Sequence, residues 1–180
     1  SAAAVRRYRR ETAVAFARHK TIFVSGFLQR RFQQVVSDAG LMQACVINNF
    51  IDLQSLPDPV DKPCDQVTRQ QAVIVGRIDQ AKGVAAFLGA LAVRKAENLD
   101  IDIVGDGPLR AITEQKFASP SVRFLGWRSQ EETLARVARA QIVVVPSVWE
   151  EPCGTTILEG LALRKMVLAL ARGGTPELKR

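Results

Sequence analysis

The 180-residue sequence is poor in the side chains that most often build nucleophile and metal sites. It has one histidine, His19, and three cysteines, Cys45, Cys64 and Cys153, which are far apart and lack CxxC spacing. Ser-His-Asp and Cys-His catalysis is therefore excluded except through His19, which lies in a basic helical stretch far from other reactive groups and is expected at the surface. The cysteine pattern predicts neither a disulfide framework nor a zinc site, and it favours a reduced, cytosolic setting.

The sequence also lacks any apolar run approaching the 18 or more residues of a membrane span. Its 47% hydrophobic and 24% charged residues are typical of an ordinary globular chain. A chain of this length can bury about 70% of its unfolded surface, so a core can form without disulfides or a structural metal.

Positive charge is concentrated at the start of the chain. The formal net charge is +7, and most of it lies in residues 1–40, where eight basic residues face two acidic ones. The nearly neutral remainder argues against a general nucleic-acid binder, which would spread a basic stripe over its folded surface. The Arg-rich start could contact an anionic membrane, at its inner face, or an acidic partner; it could equally be a solvated helix face.

The first 50 residues are predicted to form an αβαβ segment. Residues 51–70 are predicted to be a linker, because Pro57, Pro59 and Pro63 cannot continue a helix or a central strand. The predicted elements before the linker are a helix at 3–18, a strand at 21–25, a helix at 27–38 and a strand at 44–48.

Residues 71–180 show regular β/α alternation with five strands. The strands are continuous Val/Ile/Leu runs, which is typical of parallel strands buried on both faces, so we expect a doubly wound, Rossmann-like parallel sheet. The predicted strands are 72–76, 99–105, 121–126, 141–146 and 166–170. The predicted helices are 82–96, 109–117, 129–139 and 154–164.

Open parallel sheets bind ligands beyond the carboxyl ends of their strands, where the strand order reverses. With the common order 3-2-1-4-5, the reversal falls between the first and fourth strands of this sheet. The loops that leave them are GRIDQAKG (Gly76 to Gly83) and PSVWEEPCGTT (Pro146 to Thr156). We therefore expect these two loops to form the ligand site.

The first loop offers two cations, Arg77 and Lys82, which suit a pyrophosphate but could also be ordinary exposed loop cations. The second loop offers a predicted helix start at Gly154, Thr155 and Thr156, whose free N–H groups favour an anion.

Carboxylates flank that helix start. Glu151 precedes the helix and Glu159 lies on it, and both could accept hydrogen bonds from sugar or ribose hydroxyls. Their apolar neighbours argue against fully solvated acids.

Three other features have simpler interpretations. Asp100 and Asp102 form a DxD pattern, but both lie within a predicted strand before its ligand end, so a metal site is not favoured. Cys153 is most simply a small packing residue, although its place before a helix start could make it a nucleophile. Asp106 is most simply a turn residue.

Five motifs in order over residues 76–178 resemble the donor-binding lobe of the family-4 type retaining glycosyltransferases, which have the GT-B fold. The upstream FVSGFLQRRF and VINNFID resemble the end of that family's first, acceptor-binding lobe. The motifs are GRIDQAKG, IVGDGP, VRFLGW, VVPSVWEEPCGTTILEGLA and GGTPEL.

The resemblance implies transfer of a hexosyl group from a nucleoside diphosphate sugar to a hydroxyl of a carbohydrate or lipid-linked acceptor, with retained configuration and no metal. It assigns Arg77 and Lys82 to the donor diphosphate and Glu151 to the donor sugar, as the catalytic set. It assigns Glu159 to the ribose. The further donor-binding residues that it implies are Gly154, Thr155, Thr156, Gly126 and Trp127.

This sequence departs from the family pattern in three ways, one of which is that NNFID lacks the usual glycine. The family usually has glycine near Arg164 and Lys165, which here lie in LRKMV. Most of the acceptor lobe and the final C-terminal segment have no counterpart. We therefore expect residues 1–50 to be the end of the acceptor lobe and residues 71–180 to be a donor lobe truncated at its C-terminus. We expect the 180-residue chain to be inactive alone. A non-catalytic nucleotide-binding module and a GT-B phosphorylase are the alternatives.

Overall fold

The computed structural model describes residues 2–34, 44–60, 69–94 and 98–178. The chain divides into two compact units. The first consists of Ser1–Asn49, Glu151–Cys153 and Gly173–Arg180, and the second of Phe50–Glu150 and Gly154–Arg172. The predicted domain boundaries at residues 50 and 70 stay a prediction, and residues 61–68, which include Cys64, lie outside the described part.

The first unit contains the predicted αβαβ segment. It comprises α1 (Ala2–Arg18), β1 (Thr21–Phe23), α2 (Gly26–Gln33) and β2 (Ala44–Val46), with β1 and β2 paired in parallel. Phe23 is buried, and its ring lies 5.3 Å from that of Phe32 and 6.3 Å from that of Phe16. This aromatic cluster joins both helices to β1. His19 is exposed, as expected.

Strand β1 is shorter than predicted because Ser25 serves as the N-cap of α2. The Ser25 hydroxyl accepts a hydrogen bond from the Leu28 N–H at 3.2 Å, which ends the extended segment and begins the helix. A 3-10 helix at Thr175–Leu178, which the sequence did not predict, also belongs to this unit. Its Glu177 carboxylate accepts the Gly26 N–H at 2.8 Å and pairs with Arg30 at 2.7 Å.

The second unit is a five-stranded parallel sheet in the order β5-β4-β3-β6-β7. This order confirms the assumed arrangement, with the reversal between β3 and β6. The strands are β3 (Gln70–Val75), β4 (Leu99–Val104), β5 (Val122–Gly126), β6 (Ile142–Val145) and β7 (Met166–Ala169). The helices are α3 (Val84–Arg94), α4 (Arg110–Phe117), α5 (Gln130–Arg139) and α6 (Thr155–Ala162).

Helices cover both faces of this sheet, so the predicted doubly wound α/β fold is confirmed. On one face Ile74 and Ile103 pack with Leu88 of α3, and on the other Val73 and Val143 pack with Val137 of α5. Adjacent residues of β3 are thus buried on opposite faces, which explains why its sequence is continuously apolar. Among the described residues, no helix has both the length and the apolar character to cross a membrane.

Helix α6 ends in a turn that glycine usually forms. The Lys165 N–H bonds to the Gly160 carbonyl at 2.8 Å and the Arg164 N–H to the Leu161 carbonyl at 3.0 Å, the pattern of a Schellman motif. Arg164 has φ of +56° and is the only non-glycine residue with positive φ in the described part of the chain. The turn therefore keeps its shape without glycine, at a conformational cost of about 1–2 kcal/mol.

Replacing Arg164 with glycine should remove most of that cost. Because glycine also loses more entropy on folding, we expect Arg164→Gly to gain about 1 kcal/mol, which raises Tm by roughly 2–4 °C. Differential scanning calorimetry would measure this gain. Arg164→Ala is the matched control, since alanine keeps the steric penalty; equal Tm values for the two variants would contradict this account.

Candidate functional site

The loops that leave β3 and β6 are hydrogen-bonded to each other. The Ala81 carbonyl accepts the backbone N–H groups of Val148 at 2.9 Å and Trp149 at 3.1 Å, and the Ser147 hydroxyl at 3.3 Å. These bonds join the loop Gly76–Gly83 to residues 147–149 of the second loop. The structure thus brings together the two loops that the topology argument selected.

Gly83 makes this joint sterically possible. It has φ of +69°, and a Cβ atom there would lie only 2.2 Å from the Pro146 carbonyl oxygen. Any other residue would push the two loops apart. Helix α3 begins after this contact, at Val84, two residues later than predicted.

Asp79 organises the loop that carries the two predicted cations. Its Oδ1 accepts the Lys82 N–H at 2.9 Å, and its Oδ2 lies 3.4 Å from Nε of Arg77. Arg77 is 67% exposed, whereas Lys82 is half-buried. The sequence did not single out Asp79, although an aspartate shortly before a predicted helix is a recognisable turn signal.

The second loop ends at the N-terminus of α6. Gly154 is the N-cap residue and forms no side-chain cap, and Thr155 and Thr156 occupy the first turn. Helix starts of this kind present backbone N–H groups and the positive end of the helix dipole to an anion. Gly160 brings α6 close to the sheet, since a Cβ there would lie 3.0 Å from Val167 and 3.1 Å from Val143.

Glu159 lies half-buried on α6 beside this close contact. No hydrogen bond or ion pair from the described residues reaches its carboxylate, and burial raises its pKa. A desolvated acid without a protein partner is well suited to accept hydrogen bonds from ligand hydroxyls. This is the chemistry that the sequence analysis assigned to Glu159.

Glu151 belongs to the first unit, whereas the other predicted site residues belong to the second. Its backbone carbonyl accepts the Gly174 N–H at 2.7 Å. A Cβ on Gly174 would lie 2.0 Å from the Pro152 carbonyl oxygen, so this contact requires glycine. The predicted role of Glu151 beside Arg77 and Lys82 stays a prediction.

Gly126 and Trp127 lie at the carboxyl end of β5. Gly126 has φ of +71°, and the Trp127 side chain is 74% exposed. The adjacent loop contains Asp106, whose carboxylate accepts the Gly107 N–H at 2.7 Å, in agreement with its predicted turn role. This bond and an ion pair with Arg110 at 2.9 Å lower the pKa of Asp106.

Both carboxylates of the DxD pattern form ion pairs with arginines. Asp102 is buried and pairs with Arg123 at 2.7 Å and Arg136 at 3.2 Å, while Asp100 pairs with Arg69 at 2.8 Å. These pairs link β4 to β5, to helix α5 and to the residue that precedes β3. In the described part of the chain, no three His, Cys, Asp or Glu side chains are grouped to hold a metal, and Cys153 is buried as a free thiol.

The protein has an α/β fold, and its two joined loops lie at the carboxyl edge of the parallel sheet. Nucleotide-binding sheets typically bind their ligands at this edge. Residues 69–180 match the family model of glycosyl transferases group 1. This chain belongs to that family of glycosyltransferases.

Two curated relatives are similar over part of the chain. The lipopolysaccharide core biosynthesis glycosyltransferase LpsD of Rhizobium meliloti is 30% identical over 130 residues, which cover 69% of this chain and 36% of the relative. A phosphatidyl-myo-inositol mannosyltransferase of Propionibacterium freudenreichii is 31% identical over 98 residues, or 53% of this chain and 24% of the relative. The matched segment thus spans about a third or less of these relatives.

Solved structures of other proteins share the fold. Anabaena HepE, solved in complex with UDP and glucose, has a TM-score of 0.73 and 23% identity over 96% of this chain and 51% of its own. The C-terminal domain of LpcC from Francisella tularensis has a TM-score of 0.60 and 24% identity over 72% of this chain and 75% of its own. At these identities the likeness establishes the fold.

The raised pKa of Glu159 predicts that the stability of the folded chain depends measurably on pH. A carboxyl group with a raised pKa holds its proton more tightly in the folded chain, so stability falls as pH rises from the unfolded pKa to the folded one. We therefore expect ligand-free Glu159→Gln to be more stable than wild type near pH 7 and to lose this advantage at low pH. Thermal unfolding from about pH 3.5, below the unfolded glutamate pKa, to about pH 8 would measure it.

Glu131→Gln provides the control, because Glu131 is an exposed acid on α5. A Glu159→Gln variant with the same pH profile as wild type would contradict the burial of this carboxylate.

Proposed function

We propose that this chain provides the donor site of a retaining GT-B glycosyltransferase of the family-4 type. Its donor is a nucleoside diphosphate hexose, and its acceptor is a hydroxyl of a carbohydrate or a lipid-linked saccharide. The proposal depends mainly on one observation: the hydrogen-bonded joint at Ala81, which unites the cation-bearing loop with the loop that leads into α6.

The charge of the joined loops suits a diphosphate. Arg77 contributes a planar guanidinium and Lys82 a compact ammonium group. The N-cap and first turn of α6 contribute the N–H groups of Gly154, Thr155 and Thr156. Cleavage of the glycosyl–phosphate bond leaves the shared electron pair, and hence negative charge, on the diphosphate. In the proposed reaction, these groups stabilise that charge electrostatically, without a metal.

The remaining site residues receive roles from the family motif. Glu159 would accept hydrogen bonds from the ribose, a role that its half-buried, unpaired carboxylate supports. Gly126 and Trp127 would form the turn that meets the nucleobase. Glu151, the first acid of the motif, would face the transferred hexose and orient it as it gains oxocarbenium character.

The relatives support a nucleotide-sugar donor. HepE was solved with UDP and glucose, and a second HepE structure contains UDP-glucose. LpsD is named for lipopolysaccharide core synthesis and the Propionibacterium relative for a phosphatidyl-inositol acceptor, so both names are compatible with a saccharide or lipid-linked acceptor.

Lys82→Ala tests the diphosphate site. Loss of one charge-assisted hydrogen bond should weaken binding of UDP or GDP by about tenfold or more in isothermal titration calorimetry. Lys116→Ala is the matched control, because the Lys116 ammonium lies over the Phe117 ring on α4. Equal affinities for Lys82→Ala and wild type would contradict the proposal.

A transfer assay on the same protein separates an enzyme from a binding module. Release of UDP or GDP from a nucleotide sugar, with product formation on an acceptor, would establish turnover. Nucleotide binding without turnover would support the non-catalytic module.

We also propose that the basic helix α1 contacts an anionic membrane surface, which would place the protein at the inner face of a membrane. The arginines at positions 6, 7, 9, 10 and 18 are all exposed on this helix, as are the apolar side chains Val5 and Tyr8. Juxtaposed basic and apolar groups of this kind favour anionic lipid.

Vesicle sedimentation tests this contact. Binding to phosphatidylcholine vesicles containing about one quarter phosphatidylglycerol should fall steeply as salt rises, because each basic residue near the surface contributes roughly 1 kcal/mol that salt screens. Changing Arg6, Arg9 and Arg10 to Gln should weaken binding by about a hundredfold, whereas the same change at Arg94, Arg128 and Arg139 should leave binding at the wild-type value. Salt-independent binding would refute the contact.

A further inference from the structure

The guanidinium group of Arg110 covers the glycine that ends β5. A Cβ atom on Gly126 would lie 2.9 Å from Nη1 of Arg110 and 3.4 Å from both Cζ and Nη2. Three atoms of the planar group are therefore close to this one point, so the group packs against the backbone where a side chain would otherwise extend. The φ of +71° favours glycine at this position, and the guanidinium fills the space where a side chain would begin.

Two carboxylates hold Arg110 in this place. Its Nη1 donates to Oδ2 of Asp106 at 2.9 Å, and its Nε donates to Oε2 of Glu114 at 3.2 Å. The Gly105 N–H also bonds to the Gly126 carbonyl at 2.8 Å, so the ends of β4 and β5 are tied together beside the guanidinium. The side chain is 30% exposed, and its position is set from both sides by these ion pairs.

The turn that Arg110 supports carries Trp127 directly after Gly126. With 74% of its side chain exposed, Trp127 offers a large π-surface at the carboxyl edge of the sheet. Aromatic stacking on a base is worth about 1–3 kcal/mol and tolerates any base, because every base has a π-face. Its value depends on the orientation of the ring, and hence on the turn that sets it.

We propose that Arg110 is a positioning residue for nucleobase binding. Held between Asp106 and Glu114, its guanidinium fixes the Gly126–Trp127 turn so that the indole ring is oriented for stacking. This inference rests on the proposed function and adds to it the residue on which base recognition depends. Because stacking carries the effect, a purine and a pyrimidine nucleotide are affected alike, while a ligand without a base is not.

Calorimetry on the full chain with UDP, GDP and inorganic pyrophosphate tests this role. We expect Arg110→Ala and Arg110→Lys to weaken the binding of UDP and of GDP by a similar factor of about three to ten. This loss is smaller than the full contribution of a stacked base to binding. Pyrophosphate affinity should stay at the wild-type value. Arg139→Ala, at an exposed arginine on α5, is the matched control and should change none of the three affinities.

Arg110→Lys keeps a cation between the two carboxylates but removes the flat group, so it tests the packing even where Arg110→Ala does not fold. An equal loss for pyrophosphate and nucleotides in the variants would overturn the positioning role. Variants that retain the wild-type preference for UDP over pyrophosphate would also overturn the positioning role. A wild-type chain that binds neither ligand would overturn the proposed function and this inference with it.

Discussion

The contact between Gly83 and the Pro146 carbonyl is the constraint on which the proposed site depends. It lies where the strand order reverses, between β3 and β6, and it lets one carbonyl, that of Ala81, accept three hydrogen bonds from the facing loop. These hydrogen bonds pair backbone groups of both loops and hold the loop that carries the charged side chains at the sheet edge. Without it, Arg77 and Lys82 would be ordinary loop cations on a loop separate from the one that leads into α6.

Much of the second unit could be predicted because its signals are local. Val73 and Ile74 are adjacent and are buried on opposite faces of the sheet. Because both faces of β3 are covered, its sequence is a continuous apolar run. Ser129 and Glu132 form a capping box at the start of α5, where the helix was expected. The pairing of the two ligand loops followed from a general property of open parallel sheets.

The missed features depend on residues that are distant in sequence or on unusual backbone. Glu177 reaches Gly26 across 151 positions, and no local pattern indicates that contact. Arg164 adopts a conformation that its residue type disfavours, because the Schellman hydrogen bonds determine the turn. The packing of Arg110 on Gly126 appears only when β4 and β5 lie side by side, although the glycine itself was singled out.

The central claim is that a nucleoside diphosphate binds where these two loops meet. A crystal structure of the chain grown with UDP tests it most directly. We predict phosphate oxygens within hydrogen-bonding distance of the Lys82 ammonium and of the backbone N–H groups of Thr155 and Thr156. A structure in which UDP binds elsewhere, or in which Arg77 and Lys82 both turn away from a bound diphosphate, would contradict the account.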